Sequence, residues 1–363
     1  MKFKNFILKV TLLKFTKGFT IKKNFIITGI TGQDGAFLAK KALERGYSVV
    51  GIQRPLPPGQ EKQILFRLHE LNIFNQIKFE TLDLRDTKNV NKVLKEYRPV
   101  YFAHLGSQSS VKMSYIKPNM TNESNLIISK NIIDSIEKYS KETIFFFPSS
   151  ATIYEGYQNK TVSEKTNPQP KSNYSLSKFT TQKYIHTKLQ DSDLQLNCGI
   201  MFSHESEFRR PNFFSKKIVE FLVNYKNNTS LRLKVGDLSI KRDIGYAEEY
   251  MEATYQILKQ NNKSEYIVSS NCLYKLSDFV ETCLKILDIN YIFNLDDTSS
   301  SFTDKKTGID FILSENAEFR EFDLRGIKGD NSKIQEDLDW SPKIRLEEIC
   351  KKMINFELKK VNN

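Results

Sequence analysis

The chain has 363 residues, of which 39% are hydrophobic, and it carries a formal net charge of +12. This length can bury a large core, either as one α/β unit or as two closely joined lobes. Seven of the charges are lysines in residues 1–23. The remaining +5 is a mild excess that suits a phosphorylated small-molecule substrate and gives no reason to expect nucleic acid.

The first segment, residues 1–23, is a basic leader that contains no acidic residue. Lysines interrupt its apolar residues every few positions, so it fits neither a transmembrane span nor the apolar core of a signal peptide. We expect a disordered tail or a sequence upstream of the native start, and no association with membranes.

The next segment, TGITGQDG at 28–35, lies between an apolar run at 25–27 and a helical pattern that ends at Gly46. Strand, glycine turn and helix in this order are the context of a dinucleotide-binding loop. The glycines allow a tight turn, a close approach of the pyrophosphate and close packing of helix on strand. The phosphates would bind N–H groups at the helix N-terminus. The residues predicted to bind the cofactor here are Gly29, Thr31, Gly32, Gln33, Asp34 and Gly35.

The second predicted strand, residues 47–52, is followed by Gln53 and Arg54. An NAD site usually has an acidic residue at this distance from the glycine turn, where it holds the ribose hydroxyls. A guanidinium instead suits a 2′-phosphate, which it can bind through two parallel hydrogen bonds. The sequence therefore predicts NADP with Arg54 as a ligand; the alternative is a surface arginine before a proline-rich loop.

Helical and strand patterns then alternate. Predicted helices cover 61–71, 88–97 and 119–139, and predicted strands cover 77–82, 100–105 and 142–147. Strands that are apolar on both faces and alternate with helices indicate a parallel sheet covered on both sides. We therefore predict an α/β fold with a Rossmann-type doubly wound sheet, whose ligands bind at the carboxyl ends of the strands.

The alternation loosens from about residue 194, where loops rich in Arg, Lys and Asp appear. We predict an NADP-binding Rossmann domain at 24–193 and a smaller C-terminal α/β substrate-binding lobe, formed mostly by 194–363 with interleaved segments. The four cysteines are widely spaced and form no CxxC motif or cluster with histidine. This predicts reduced thiols in a cytoplasmic protein and no metal site.

Tyr174 and Lys178 are four residues apart, so on a helix their side chains share one face, about 5–6 Å apart. A nearby ammonium and a nicotinamide cation would lower the pKa of the tyrosine towards working pH. Tyr174 could then act as general base on an alcohol while hydride leaves for the cofactor, with Ser150 hydrogen-bonded to the same oxygen. The predicted catalytic residues are Ser150, Tyr174 and Lys178; the alternative is a chance Tyr-x-x-x-Lys on a surface helix.

With these motifs, the chain resembles the extended short-chain dehydrogenase/reductase family, and within it the GDP-mannose 4,6-dehydratases. The resemblance covers about residues 24–358. Three segments are more specific to the subgroup than the glycine turn or Tyr-x-x-x-Lys: His204-Glu205-Ser206, Lys241-Arg242-Asp243 and Gly329-Asp330-Asn331-Ser332-Lys333.

The resemblance implies a nucleotide-sugar substrate, GDP-mannose in most of the family, and a homo-oligomer, either a dimer or a tetramer. It implies that Asn212 and Arg242 face the diphosphate of the substrate, and that Asp83 and Leu84 line the adenine of the cofactor. The other residues that it assigns to the cofactor are Leu105, Gly106, Ser107, Gln108, Ser109, Lys178, His204 and Arg209.

One departure concerns the base that removes the proton at carbon 5 of the sugar. Family dehydratases have a Glu two residues after the Thr/Ser at the Ser150 position, and this chain has Thr152 there. Threonine has no pKa suited to that step. Glu155 lies just beyond and could serve only if the loop were remodelled.

The sequence therefore leaves three functions open. The first is a GDP-mannose 4,6-dehydratase-like lyase that uses NADP(H) as a transient hydride carrier, and the subgroup-specific segments favour it. The second is a GDP-sugar 4-ketoreductase or epimerase, favoured by Thr152. The third is a catalytically silent binder of nucleotide sugars, against which the intact Tyr174–Lys178 pair argues.

Overall fold

The computed structural model describes residues 23–295, 299–314 and 324–362, so the predicted leader lies outside the described residues except for Lys23. The strands in these ranges are β1 (Asn24–Thr28), β2 (Ser48–Gln53), β3 (Ile77–Thr81), β4 (Tyr101–His104), β5 (Ile144–Ser150), β6 (Thr161–Val162), β7 (Gln195–Met201), β8 (Ser203–Glu205), β9 (Leu233–Val235), β10 (Lys241–Tyr246), β11 (Glu265–Val268), β12 (Leu273–Lys275), β13 (Tyr291–Leu295), β14 (Ser300–Asp304), β15 (Asp310–Ser314) and β16 (Lys328–Gly329).

The α-helices of the same ranges connect and cover these strands. They are α1 (Gln33–Glu44), α2 (Glu61–Glu70), α3 (Thr87–Tyr97), α4 (Val111–Ile116), α5 (Pro118–Asn122), α6 (Ile128–Tyr139), α7 (Asn173–Asp191), α8 (Phe214–Tyr225), α9 (Ala247–Gln260), α10 (Leu276–Ile286), α11 (Ser332–Leu338) and α12 (Leu346–Asn362).

The largest sheet has seven strands in the order β3-β2-β1-β4-β5-β7-β11. Every neighbouring pair in it is parallel. The strand order reverses between β1 and β4, which is where a crevice for a ligand opens in sheets of this kind. The predicted Rossmann-type doubly wound sheet is thereby confirmed.

Strand β1 is buried on both faces because alternate side chains enter two different cores. Phe25 and Ile27 pack in a buried cluster with Ala39 of α1, and Ile26 packs on the opposite face with Ile133 of α6. All five side chains are fully buried. Helices on both sides of the sheet explain why its strands read as continuous apolar runs in the sequence.

The large sheet extends past residue 194, because β7 pairs with β5, and β11 pairs with β7. Smaller sheets lie beside it, in the orders β12-β10-β8 and β13-β14-β15-β9. Helices α8, α10 and α12 share a separate buried cluster with the second of these sheets. The division into a domain at 24–193 and a lobe at 194–363 stays a prediction, but two strands of the second range complete the first sheet.

The single helix predicted at 119–139 is wrong in detail, because a π-helical turn at Glu123–Ile127 separates α5 from α6. The apolar periodicity that predicted the helix does not reveal a local widening of the turn. Inside this turn, Ser124 Oγ and Asn125 Oδ1 accept the backbone N–H of Gln108 at 3.2 and 2.9 Å. Such π turns are frequent at functional sites.

Within residues 23–295, 299–314 and 324–362, no helix is long and apolar enough to span a bilayer. Over the same ranges, no group of three or more His, Cys, Asp or Glu side chains is arranged to hold a metal ion.

Candidate active site

The predicted site residues follow the carboxyl ends of neighbouring parallel strands, which meet at one edge of the sheet. The glycine turn follows β1, the 105–109 loop follows β4, and the segment with His204 follows β7. Ser150 is the last residue of β5, which runs three residues past the strand's predicted end at 147. Tyr174 and Lys178 lie on α7.

The glycine turn has the geometry that its sequence predicts. Gly29 has a φ of +69°, and a Cβ on it would lie 2.7 Å from the backbone of Gly106. A Cβ on Gly35 would lie 2.2 Å from the carbonyl oxygen of Gly29. Helix α1 begins directly after Gly32, which offers no side-chain cap. Its first N–H groups therefore point out of the helix, and this arrangement fits a dinucleotide phosphate.

The ends of β1 and β4 are tied together by Thr28. Its Oγ1 accepts the N–H of Gly106 at 2.9 Å and lies 2.8 Å from Nδ1 of His104. Burial, with a smaller effect from Lys178, lowers the pKa of His104 to about 3, so this imidazole is neutral. His104 was not predicted as a site residue because it lies inside an apolar strand.

Lys178 is buried and joins α7 to two strand ends. Its Nζ donates to Ser107 Oγ and to the carbonyl oxygen of Pro148, both at 2.8 Å. Burial lowers the pKa of this ammonium to about 7. The same Nζ lies 5.9 Å from the ring centroid of Tyr174, so the two predicted catalytic side chains share one face of the helix.

The predicted lowering of the Tyr174 pKa relies on Lys178 together with a bound nicotinamide cation, and Lys178 alone does not produce it. Burial raises the pKa of this phenol to about 12, and hydrogen bonding to Ser150 and the charge of Arg209 only partly oppose it. The helical spacing places Lys178 near Tyr174, but its ammonium donates to Ser107 and Pro148 instead. Burial also lowers the pKa of Lys178, which disfavours its charged form.

Thr152 and Glu155 are both engaged within the protein. Thr152 donates its hydroxyl to Ser150 Oγ at 3.0 Å. The carboxylate of Glu155 accepts hydrogen bonds from the backbone N–H groups of Lys171 and Ser172 and from the hydroxyls of Ser172 and Ser175. The loop is therefore not remodelled in the way that a base at Glu155 would require.

Asp34 and His204 form an ion pair beside the glycine turn, with Nε2 of the imidazole 3.2 Å from Oδ1. Burial alone would raise the pKa of Asp34, but His204 outweighs it and holds that pKa well below its usual range. The carboxylate in turn raises the pKa of His204 against the effect of burial. Gln33 joins this pair, since its Nε2 donates to Asp34 and its Oε1 accepts from Ser206.

Arg67 on α2 joins the glycine turn to the segment after β8. Its Nη1 donates to the carbonyl oxygen of Thr31 at 3.0 Å, and its Nε donates to that of Phe208 at 2.8 Å. Burial lowers its pKa to about 10, so it stays charged at neutral pH. The only sign of this contact in the sequence is that a basic residue lies inside the helix predicted at 61–71.

The residues assigned to the substrate and the rest of the cofactor are spread along the same edge. Arg209 stacks over Phe213 at 3.7 Å, and its Nε lies 3.1 Å from Glu205. Strand β10 pairs with β8, which places Arg242 three residues before the partner of His204. Among the predicted ligand residues other than glycine, those that are exposed are Arg54, Ser109 and Asn212.

On the adenine side of the predicted site, Asp83 and Gln108 bond to neighbouring residues of the protein. Asp83 is bonded to Arg85, its own neighbour after β3, and this bond is the main reason why its pKa is lowered. Leu84 is buried. The side chain of Gln108 bonds to the backbone of Ser110. Its Nε2 donates to the carbonyl oxygen and its Oε1 accepts the N–H, both at 2.7 Å.

A sequence profile of the family described as GDP-mannose 4,6 dehydratase matches residues 26–353. The GDP-mannose 4,6-dehydratase of Vibrio cholerae is 27% identical over 353 residues, which cover 93% of this chain and 95% of that protein. The human GDP-mannose 4,6 dehydratase is 26% identical, over 92% of this chain and 91% of that protein.

Solved structures show the same fold at lower identity. RMD from Pseudomonas aeruginosa, complexed with NADPH, has a TM-score of 0.71 and 17% identity, covering 93% of this chain and 100% of that one. The UDP-glucose 4-epimerase of Thermotoga maritima has a TM-score of 0.75 and 20% identity, covering 93% and 99%. Because the profile spans most of the chain, this protein belongs to the GDP-mannose 4,6-dehydratase family, as its motifs predicted.

Proposed function

We propose that this protein is an enzyme that transfers hydride between NADP(H) and carbon 4 of a GDP-linked hexose. The observation that carries the proposal is the meeting of Ser150, Tyr174 and Lys178 at the sheet edge beside the glycine turn. The family supports the substrate class, since the relatives described above are named for GDP-mannose.

Tyr174 exchanges the proton of the sugar hydroxyl, and Ser150 orients that hydroxyl through a hydrogen bond. NADP⁺ held by the glycine turn and the 105–109 loop would supply the hydride acceptor and a positive charge that favours the ionised phenol. Lys178 contributes in two ways. It fixes the 105–109 loop through Ser107, and with a pKa of about 7 it can gain or lose charge near neutral pH.

The cofactor is proposed to be NADP(H). Neither Gln53 nor Arg54 is acidic, and the exposed guanidinium of Arg54 can meet a 2′-phosphate. The Pseudomonas protein of the same fold was solved with NADPH, which agrees with this choice. The glycine turn, with Thr31, Gln33 and Asp34, would bind the pyrophosphate through its backbone.

The overall reaction that the geometry supports best is reduction of a 4-keto-sugar or epimerisation at carbon 4, without loss of water. Elimination needs a carboxylate that reaches carbon 5. The family position is occupied by Thr152, whose hydroxyl is bonded to Ser150, and Glu155 is bonded to four donors of the protein. Hydride transfer needs neither residue as a base.

A second candidate is GDP-mannose 4,6-dehydration, in which hydride taken from carbon 4 returns to carbon 6 after water is lost. The family match over residues 26–353 favours it. It would require a base other than the two side chains considered above.

Two incubations separate these candidates. With GDP-mannose and NADP⁺ but no reductant, a dehydratase forms a product that has lost one water and carries solvent deuterium at carbon 5. With a GDP-4-keto-hexose and NADPH, a reductase consumes NADPH. We expect NADPH consumption and no loss of water. The control variant, Tyr174→Phe, should be inactive in both incubations. Loss of water with deuterium at carbon 5 would establish the second candidate instead. No turnover in either incubation, and no epimerised GDP-hexose, would refute the proposal.

A further inference from the structure

The carboxylate of Glu155 lies at the junction of two segments that carry predicted catalytic residues. It is 8% exposed and accepts hydrogen bonds from four donors. Oε2 accepts the N–H groups of Lys171 and Ser172 at 3.2 and 2.9 Å and the hydroxyl of Ser175 at 2.6 Å, and Oε1 accepts the hydroxyl of Ser172 at 3.0 Å. A buried carboxylate with four donors is held in one position.

The first of the two segments is the turn after β5. The 3₁₀ turn Ala151–Tyr154 begins directly after Ser150 and ends at Glu155. Thr152, within that turn, donates to Ser150 Oγ. The position of Glu155 therefore fixes the end of the turn that holds the Ser150 hydroxyl.

The second segment is the start of α7. Ser172 is the N-cap of this helix, and its Oγ accepts the N–H of Ser175 at 3.1 Å. Tyr174 lies between the two serines whose hydroxyls bond Glu155. A negative charge is favourable at a helix N-terminus, so Glu155 suits this place electrostatically as well as geometrically.

We propose that Glu155 is a positioning residue of the reaction, which holds Tyr174 against Ser150 and keeps a fixed negative charge beside the phenol. The proposal rests on the hydride-transfer function given above. It also assigns Glu155 a role that excludes the one considered from the sequence, because a carboxylate that bonds four donors does not also remove a proton from a substrate.

The fixed charge has a measurable consequence. The Glu155 carboxylate raises the pKa of Tyr174, in addition to the larger effect of burial. Oxidation of the sugar requires Tyr174 to accept a proton, so kcat/KM falls as the pH falls below the pKa of this group. Without the charge, that pKa falls and the acidic limb of the profile moves to lower pH. A residue that only stabilised the fold would not move it.

The test compares full-length wild type, Glu155→Gln, Glu155→Asp and a matched control, Glu164→Gln, in the oxidation of a GDP-hexose by NADP⁺, the direction in which Tyr174 accepts the proton. Glu164 is a half-buried carboxylate that also accepts a backbone N–H, from Ile267 at 2.7 Å, in another part of the chain. For Glu155→Gln we expect an acidic limb at lower pH and a kcat reduced roughly tenfold, as for the loss of charged hydrogen bonds. Glu155→Asp should keep the wild-type limb with a reduced kcat, and Glu164→Gln should match wild type.

Three outcomes would overturn the proposal. The first is a folded Glu155→Gln variant with the wild-type kcat and pH profile. The second is a dehydrating wild type in which Glu155→Gln abolishes deuterium entry at carbon 5 but keeps the first hydride step. If Glu155→Gln does not fold, the third outcome is a Glu155→Asp variant whose acidic limb is displaced from that of wild type. A wild type without activity on GDP-sugars is a different result, which refutes the proposed function before any variant is compared.

Discussion

Two pairs of titratable side chains lie at the same edge of the sheet, and their pKa values are shifted in opposite senses. In the Tyr174–Lys178 pair, burial moves both groups towards their neutral forms, with pKa values of about 12 and about 7. In the Asp34–His204 pair, the mutual attraction outweighs burial and shifts both pKa values in the direction that favours the charged forms.

The difference lies in the partners, not in the depth of burial. Asp34 and His204 face each other at 3.2 Å, whereas Lys178 donates to a hydroxyl and a carbonyl, which carry no charge. An opposite charge at short range outweighs desolvation, and neutral acceptors do not. One pair is therefore able to change its protonation during a reaction, and the other is a fixed ion pair between the glycine turn and β8.

The largest expected effect comes from removing the titrating hydroxyl itself. Tyr174→Phe should reduce kcat by about 10²–10⁴-fold, because only the acid–base group is lost. The binding of NADPH, followed by its fluorescence, should stay at the wild-type level. A variant that kept most of its activity would show that the acid–base group lies elsewhere.

Lys178→Met should reduce kcat by roughly 10²-fold and also weaken NADP(H) binding, since Ser107 and the Pro148 carbonyl lose their donor. The control is Lys183→Met, an exposed lysine on the same helix, which should leave both quantities unchanged. Steady-state kinetics and titration with NADPH measure the two effects separately. Equal losses in the two variants would mean that the effect comes from the helix and not from Lys178.

Arg54→Asp extends the comparison to an exposed charge. It should weaken NADP(H) binding by about 1–3 kcal/mol, through the loss of a charge-assisted pair and a new repulsion, and should leave NAD binding nearly unchanged. Isothermal titration with each cofactor measures the difference. A wild type that bound NAD and NADP equally would contradict the assigned role of Arg54.

The smallest expected effect concerns the fixed pair and is measured on stability. The raised pKa of His204 gives stabilisation that is present below its ordinary pKa of 6.5 and lost as the pH rises through the folded-state value. The lowered pKa of Asp34 gives stabilisation that is present above 3.8 and lost as the pH falls. The pair therefore contributes most between these two values.

Asp34→Asn should consequently lower the free energy of unfolding by about 1 kcal/mol near pH 5, a figure reduced for the partial exposure of the carboxylate. Urea unfolding at pH 5 and pH 9 measures this, and the difference from wild type should shrink at the higher pH. A difference of equal size at both pH values would show that the ion pair is not its origin.

Local patterns predicted most of the sheet, because strands buried on both faces are apolar at every position. The strand predicted at 100–105 is Tyr101–His104 in the structure, and all of its residues are buried. The local patterns failed where polar residues are buried by partners that lie far away along the chain. The strand predicted to end at 147 runs on to Ser150, and Ser149 within it is buried and bonded to Gln182 at 2.8 Å.

At the candidate site, spacing identified which side chains lie together but not their charge states. The proximity of Tyr174 and Lys178 is a property of one helix. Their pKa values depend mainly on burial by the rest of the fold, and that of Tyr174 also on its contact with Ser150 at the end of β5. Such contacts depend on the whole fold, and for the same reason the engagement of Glu155 could not be foreseen.

The continuation of the large sheet beyond residue 194 has a consequence for the synthesis of the protein. A nascent chain of residues 24–193 lacks β7 and β11, so the edge of β5 would have no partner and its N–H and C=O groups would be open to pairing with other chains. The nucleotide half can therefore complete its sheet only after residue 268 has left the ribosome. Fragments that end at the apparent domain boundary are expected to aggregate, whereas those that retain β7 and β11 keep the edge covered.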